Sequence, residues 1–118
     1  MPLRRKKTDF GIVKIHNKVI CSVASIAAGE VKGVGGMFSS PIKGFSSLFK
    51  KESYGKGVKL EFGDNNDVNV SIYIVVEYGA NVPYVSTLVQ ESVKKRIEEL
   101  TGLTVNEVEV NVYDVAKK

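Results

Sequence analysis

Residues 58–76 have the sequence VKLEFGDNNDVNVSIYIVV, and this stretch decides the fold. Apolar residues alternate with mostly polar ones in two runs, over Val58–Phe62 and over Val68–Val76. The residues between the runs are Gly, Asp, Asn, Asn and Asp, which are typical turn formers. Alternation with a period of two indicates strands with one apolar face, so the stretch predicts a β-hairpin that packs on one side.

A helix is predicted on the C-terminal side of this hairpin. Pro83 suits a first helical turn, because it has no N–H to lose there. A one-sided stripe then follows at helical spacing. The stripe consists of Val85, Leu88, Val89, Ser92, Val93, Arg96, Ile97 and Leu100. Gly102 can adopt the left-handed backbone conformation that ends a helix, so we expect the helix to stop there.

A second helix is predicted on the N-terminal side. Asn17 can cap it through its side-chain oxygen. The expected apolar stripe consists of Val19, Val23, Ile26, Ala27 and Val31. Repeated glycines are costly in a helix, so Gly33, Gly35 and Gly36 are expected to end it.

Short strands are predicted at both ends of the chain, over Phe10–Ile15 and around Val108–Val112, where apolar and polar residues alternate. The order is therefore β-α-β-β-α-β. One-sided helices and strands predict an α+β two-layer sandwich with the helices on one face of a small sheet. A ferredoxin-like split arrangement and a smaller mixed sheet resembling a KH domain both satisfy this order.

The length of 118 residues predicts one domain. We expect a basic disordered tail over residues 1–8 and a single domain over 9–115. The irregular segment 35–56 interrupts this domain, since Pro41 and Gly44 forbid one continuous helix. No run of 18 apolar residues and no signal peptide is recognisable, so we expect a cytoplasmic protein, placed close to the membrane if its tail binds lipid.

Charge is concentrated in the tail. Residues 1–7 carry four basic side chains and no acidic ones, which equals the formal net charge of +4 of the whole chain. The candidates for binding anionic lipid or another polyanion are Arg4, Arg5, Lys6 and Lys7. Each cation near an anionic bilayer contributes about 1 kcal/mol. A solubilising terminus is the alternative interpretation.

The irregular segment carries the strongest candidates for partner binding. They are the apolar residues Phe38, Ile42, Phe45, Leu48 and Phe49, which are interleaved with lysines. Such a stretch suits a membrane surface or the groove of a partner protein. It could equally fold back to cover the core. Tyr73 and Tyr113, on the polar face of the predicted sheet, are two further partner-binding candidates.

Catalytic and cofactor chemistry finds little support. Cys21 and His16 are the only residues of their types. A spacing of five residues on a helix separates them by about 140°, which disfavours a nucleophile–base pair. The glycines at 33–36 lack the Lys-Ser or Lys-Thr of a phosphate-binding loop. Asp64 and Asp67 fit a hairpin turn better than a calcium loop. Glutamates on the polar sheet face disfavour nucleic acid.

Several short motifs, taken in their order and spacing, resemble the alkaline-shock protein family, also called the Gls general-stress family. The resemblance covers roughly residues 10–115. The first half contributes GIVKI at 11–15, VI at 19–20, IAA at 26–28 and EVKGV at 30–34. The second half contributes KGV at 56–58, IYIVVEYG at 72–79, VP at 82–83, VQESV at 89–93 and TGLTV at 101–105.

This resemblance implies a bacterial cytoplasmic protein of cell-envelope homeostasis or the alkaline stress response. It also implies protein partners, among them a membrane anchor protein in some relatives, whereas other relatives are linked to fatty-acid metabolism. The family has no established catalytic residues or cofactors. We therefore expect a non-enzymatic, self-associating adaptor or scaffold that acts through protein–protein contacts. Peripheral binding to anionic lipid and regulation of a lipid-metabolic enzyme are the alternatives.

Overall fold

The computed structural model of the protein describes residues 3–37, 53–55 and 57–116. Within these ranges the chain forms seven strands and two helices, numbered here in chain order. The elements are β1 (Leu3–Thr8), β2 (Gly11–His16), α1 (Asn17–Gly29), β3 (Val34–Met37), β4 (Ser53–Gly55), β5 (Val58–Phe62), β6 (Asp67–Val76), α2 (Val82–Thr101) and β7 (Thr104–Val115).

The central strand of the main sheet is β6. The strand β7 runs parallel to it along its whole length, and β5 and β3 run antiparallel to it. Because a strand has two edges and β7 occupies one, β5 and β3 lie end to end along the other. The short strand β4 pairs with β5. The sheet is therefore mixed.

Both helices cover one face of this sheet. Every second residue of β6 is buried from Val68 to Val76, and every fourth residue of α2 is buried from Val85 to Thr101. These side chains join those of α1, β5 and β7 in one apolar core. The arrangement is a two-layer α+β sandwich, which confirms the predicted fold class.

The turn between β5 and β6 and both ends of α2 form as the sequence predicts. The turn is closed by the amide of Gly63, which donates to the carbonyl of Asp67 at 3.0 Å. Asp67 Oδ1 also accepts from the amide of Asn65, so its carboxylate serves the turn. Gly102 takes a left-handed φ of 76° and donates to the carbonyl of Glu98. Asn81, which the sequence interpretation did not name, caps the other end by accepting from the amide of Tyr84.

Helix α1 exists, but its buried face differs from the predicted one. The residues that point into the core are Ile20, Cys21, Ala24, Ala27 and Ala28. Of the predicted stripe, Ala27 is buried and Val31 packs against the core, whereas Val19 and Ile26 are 46% and 58% exposed. The buried face of α1 is therefore rotated about the helix axis relative to the predicted one. The small side chains let α1 approach α2, where Ser92 Oγ donates to the carbonyl of Ala27 at 3.1 Å.

The ends of α1 were also predicted wrongly. His16 occupies the N-cap position and makes no side-chain capping bond. Asn17 lies inside the first turn, where it is buried and its Oδ1 has no hydrogen-bond partner. The helix stops at Gly29 rather than near Gly33, because the following residues turn into strand β3 and pair with β6.

The N-terminal residues form a strand where the sequence predicted a disordered tail over 1–8. Strand β1 pairs antiparallel with β2, from Leu3–His16 to Thr8–Gly11, around the two-residue turn Asp9-Phe10. This hairpin is a separate two-stranded sheet. The first predicted strand therefore lies outside the main sheet, so the ferredoxin-like arrangement does not form. The main sheet is mixed, and a likeness to a KH domain stays a prediction.

The irregular segment 35–56 is bounded by two short strands that the sequence interpretation did not include. Strand β3 overlaps its beginning and β4 its end. The remainder of the segment, 38–52 and 56, lies outside the described residues.

Candidate protein interface

The two tyrosines proposed for partner binding lie on or near the sheet face that the helices leave uncovered. Tyr73 is half-buried on β6, and its register partner on β7 is Asn111. Tyr113 is 53% exposed and lies where β7 skips one residue in its pairing with β6. The structure therefore places both tyrosines on neighbouring strands.

The other proposed binding residues are placed only in part. Phe38, Ile42, Phe45, Leu48 and Phe49 lie outside the described residues, so their contact with a partner stays a prediction. Arg4, Arg5, Lys6 and Lys7 belong to strand β1. In the register of the hairpin they pair with Ile15, Lys14, Val13 and Ile12, respectively.

His16 and Cys21 have different environments. His16 is exposed at the start of α1, whereas Cys21 is fully buried in the core. Across the part of the chain that the structure describes, no cluster of three or more His, Cys, Asp or Glu side chains has the spacing of a metal site.

The outer edge of β7 is partly covered by side chains of α2. Lys94 Nζ donates to the carbonyl of Val105 at 2.8 Å, and the amide of Val105 donates to Glu98 Oε2 at 2.9 Å. Lys94 and Glu98 also form an ion pair at 3.2 Å. Gln90 Nε2 donates to the carbonyl of Val108 at 3.0 Å. These bonds satisfy backbone groups that would otherwise be free at a sheet edge.

The same contacts shift the pKa of the Glu98 carboxyl. The hydrogen bond from the amide of Val105 and the one from Lys94 lower the pKa of the Glu98 carboxyl below its ordinary value. Both bonds stabilise the charged carboxylate, which outweighs the small opposing effect of burial. Glu98 thus acts as a charged clamp between the end of α2 and the start of β7.

Beyond Val108, no other strand among the described residues pairs with the outer edge of β7. The carbonyls of Val105 and Val108 point away from β6, towards α2 side chains. The backbone groups of every second residue in a strand point to the same side. Val110 and Val112 therefore also direct their N–H and C=O groups outward. Among the described residues, β7 pairs with β6 alone.

Apolar side chains accompany this open edge. Val112 is 39% exposed and Val115 is 45% exposed, and both belong to β7. Tyr113, which is also exposed, lies between them in the chain, at the carboxyl end of the strand. We call residues Glu109–Val115 the open edge. In this stretch, Tyr113 was the single partner-binding candidate from the sequence, although the alternating valines already indicated an apolar strand face.

A depression of about 460 Å³ lies between the loop that follows β6 and the first turns of α2. Its lining includes Lys32, Gly33, Tyr78, Tyr84 and Leu88. Tyr78 and Tyr84 are both largely exposed. Because β6 and β7 are parallel, this depression and the open edge lie at the same end of the sheet. The sequence interpretation treated Tyr78 as part of a motif only and did not name Tyr84.

The uncovered sheet face is polar. It carries a depression of about 240 Å³ whose lining includes Lys59, Glu61, Ser71, Glu107 and Glu109. Glu61, Glu107 and Glu109 thus lie on the sheet face to which the sequence pattern assigned them. Helices long and apolar enough to cross a membrane do not occur in the described ranges.

These features define the class of the protein, which is a small α+β two-layer domain with a mixed sheet and an open edge strand. The model of the alkaline-shock protein 23 family, described as having a cell envelope-related function, matches residues 5–117, and the chain belongs to this family. This confirms the resemblance to the alkaline-shock or Gls proteins that the motifs indicated. The family description names an envelope-related role and no enzymatic activity.

Several relatives are similar over nearly the whole chain. YqhY of Bacillus subtilis is 32% identical over 115 residues, which is 98% of this chain and 84% of YqhY. Spy1614 of Streptococcus pyogenes is 39% identical over 110 residues, 92% of this chain and 90% of its own length. A Streptococcus pyogenes protein named stress response regulator gls24 homolog is 32% identical over 92% of this chain, which covers 60% of that protein.

Among solved structures, MamM-CTD has a similar fold. It superposes with a TM-score of 0.51 and covers 84% of this chain and 99% of its own. The sequences are 14% identical, so the likeness concerns the fold alone.

Proposed function

We propose that the protein is a non-enzymatic adaptor of the bacterial cell envelope that captures partner proteins by adding one of their strands to β7. The observation that carries this proposal is the open edge Glu109–Val115. It combines outward-pointing backbone groups with exposed apolar side chains at Val112, Tyr113 and Val115. An added strand would satisfy the backbone groups and cover the valines, as in known cases of strand addition.

The way in which α2 covers part of β7 supports the same proposal. Unpaired edges are a liability that proteins usually cover or interrupt. Here Gln90, Lys94 and Glu98 occupy the edge as far as Val108, and no described strand pairs with the remainder. Partners of such an adaptor include a membrane anchor protein, an enzyme of lipid metabolism and a second copy of the chain.

A proline at the open edge tests the proposal. Val112→Pro removes an N–H that points away from β6, so the ladder between β6 and β7 is kept. We expect partner capture to fall about tenfold, because the added strand would lose one backbone hydrogen bond and could not approach the proline closely. Affinity purification from the source cell, with the captured proteins quantified by mass spectrometry, measures this effect.

The matched control is Val112→Thr, which keeps the N–H and the β-branched shape and should capture partners normally. The melting temperature of the proline variant should fall by less than about 8 °C, the shift caused by 1 kcal/mol in a domain this size. Normal capture by a folded Val112→Pro variant would show that the edge is not the contact.

The segment 37–51 remains a second proposed contact for the same function. Replacing Phe45 and Leu48 with Asp should abolish capture and leave the fold intact, if this segment rather than the edge holds the partner. Comparing this double variant with Val112→Pro separates the two surfaces. Light scattering on each variant shows whether self-association uses the same one.

A further inference from the structure

We propose that the hairpin formed by β1 and β2, Leu3–His16, is a membrane-contacting element that places Phe10 among the headgroups of an anionic bilayer. This role is independent of strand capture at β7. It rests on the weak support of the hairpin, on its charge and on the side chain at its tip.

Within the described ranges, the hairpin has little support from the rest of the domain. A two-stranded hairpin is marginally stable in water unless it packs on something else. Apart from the pairing of β1 with β2, its main neighbour among the described residues is α1, which follows it directly. Ile12 and Val13 are exposed, whereas Ile15 packs against the core.

The hairpin is also strongly cationic. It contains Arg4, Arg5, Lys6, Lys7 and Lys14 against a single acidic residue, Asp9. Arg5 and Lys14 occupy the same register position on the two strands. Like charges at opposite positions of a strand pair are destabilising. A negatively charged surface beside the hairpin would offset this repulsion.

The tip carries an aromatic side chain in a fixed turn. Thr8 Oγ1 accepts from the amide of Phe10 and donates to the carbonyl of Gly11, both at 3.2 Å. The Phe10 side chain is fully exposed. At a bilayer surface, apolar groups lie below the lipid phosphates. The aromatic ring at the tip would reach the apolar layer while the cations on the flanking strands contact the phosphates. Nucleic acid would use the cations but not the exposed Ile12 and Val13.

Tryptophan fluorescence gives a direct test, because the chain contains no tryptophan. The full-length Phe10→Trp variant is mixed with vesicles of equal phosphatidylglycerol and phosphatidylcholine, and with vesicles of phosphatidylcholine alone. We expect a blue shift of the emission with the anionic vesicles only. The matched control is Tyr84→Trp, an exposed position on α2 outside both the hairpin and the open edge, whose emission should not change. An unshifted Phe10→Trp spectrum would overturn the proposal.

Sedimentation with the same vesicles separates charge from insertion. Arg5→Glu changes the hairpin charge by two and should weaken binding at low salt about 30-fold. The substitution also replaces two like charges at facing positions 5 and 14 by opposite ones, which favours pairing of the strands. Weaker binding would therefore not be explained by loss of the hairpin. Phe10→Ser should weaken binding about tenfold through lost apolar contact. Native-like binding by both variants would contradict the proposal.

A duplex DNA oligonucleotide at the same salt concentration provides the competing outcome. We expect vesicle binding to be tighter than DNA binding. Equal or tighter DNA binding that is insensitive to Phe10→Ser would assign the cations to nucleic acid and overturn the membrane role. None of these results bears on strand capture, since Val112 and its neighbours take no part in them.

Discussion

The backbone of Gly33 illustrates how a single residue controls the packing of this domain. Gly33 has φ of +102°, and a Cβ there would lie 2.6 Å from Val85 Cγ2. Gly33→Ala is therefore expected to destabilise the protein by about 1–3 kcal/mol, through backbone strain and the clash with α2. Urea denaturation followed by circular dichroism measures the change.

The control at this scale is Gly29→Ala. Gly29 is the last residue of α1, and a Cβ there would meet no atom within 4 Å. Alanine is favoured over glycine in helices by up to about 1 kcal/mol, so this variant should be neutral or more stable. Equal stability of the two variants would mean that the approach of Gly33 to Val85 is not tight.

At the scale of single residues, the sequence predicts a residue's role correctly where that role depends only on its neighbours in the chain. The left-handed Gly102 is such a residue, because it follows a clear helical stripe. Asn17 shows the opposite case. Its type suggested a cap, but the chain path places it inside the helix, where its Oδ1 is buried.

At the scale of elements, the clamp between α2 and β7 gives a pH-dependent prediction. The pKa of Glu98 is lower in the folded state, because the amide of Val105 and Lys94 stabilise its charge. Its stabilising contribution is therefore present above its unfolded pKa, about 4.3, and is lost as the pH falls through the folded value.

The variant Glu98→Gln tests this contribution. At pH 7 the variant should be less stable than the native protein, and the difference should shrink as the pH is lowered from 7 to 3. Urea denaturation at a series of pH values measures both. A difference that does not vary with pH would show that the charge of Glu98 is irrelevant and that only its shape matters.

Two irregularities in β7 explain why its faces could not be predicted from alternation alone. The pairing with β6 skips Asn106 and Tyr113. Because of the first skip, Val105 and Val108 are both buried although they are three residues apart. A strict period of two would have placed one of them in solvent.

At the scale of the whole molecule, stability should be distributed unevenly. The central strand β6 is paired on both edges and buried on one face, whereas the β1–β2 hairpin forms its own sheet. Local opening of weakly supported elements requires far less free energy than global unfolding.

Hydrogen exchange should reveal this gradient. In the absence of vesicles, we expect the amides of β1 and β2 to exchange faster than those of β6 by a factor of about 10³ or more. Exchange followed by NMR or mass spectrometry measures both sets in one sample. Equal protection of the hairpin and β6 would show that the hairpin is held by further contacts and is not an independent element.

The sequence by itself determined the elements whose pattern is local. The β5–β6 hairpin, helix α2 and the family all follow from alternation, helical spacing, turn residues and short motifs. Only the tertiary structure decided which face of α1 is buried, that Val34–Met37 pairs with β6, and where β7 stays open. These features depend on contacts between residues far apart in the chain. Local propensities are too weak to choose between nearly equivalent apolar faces, whereas close packing against a particular neighbour does choose.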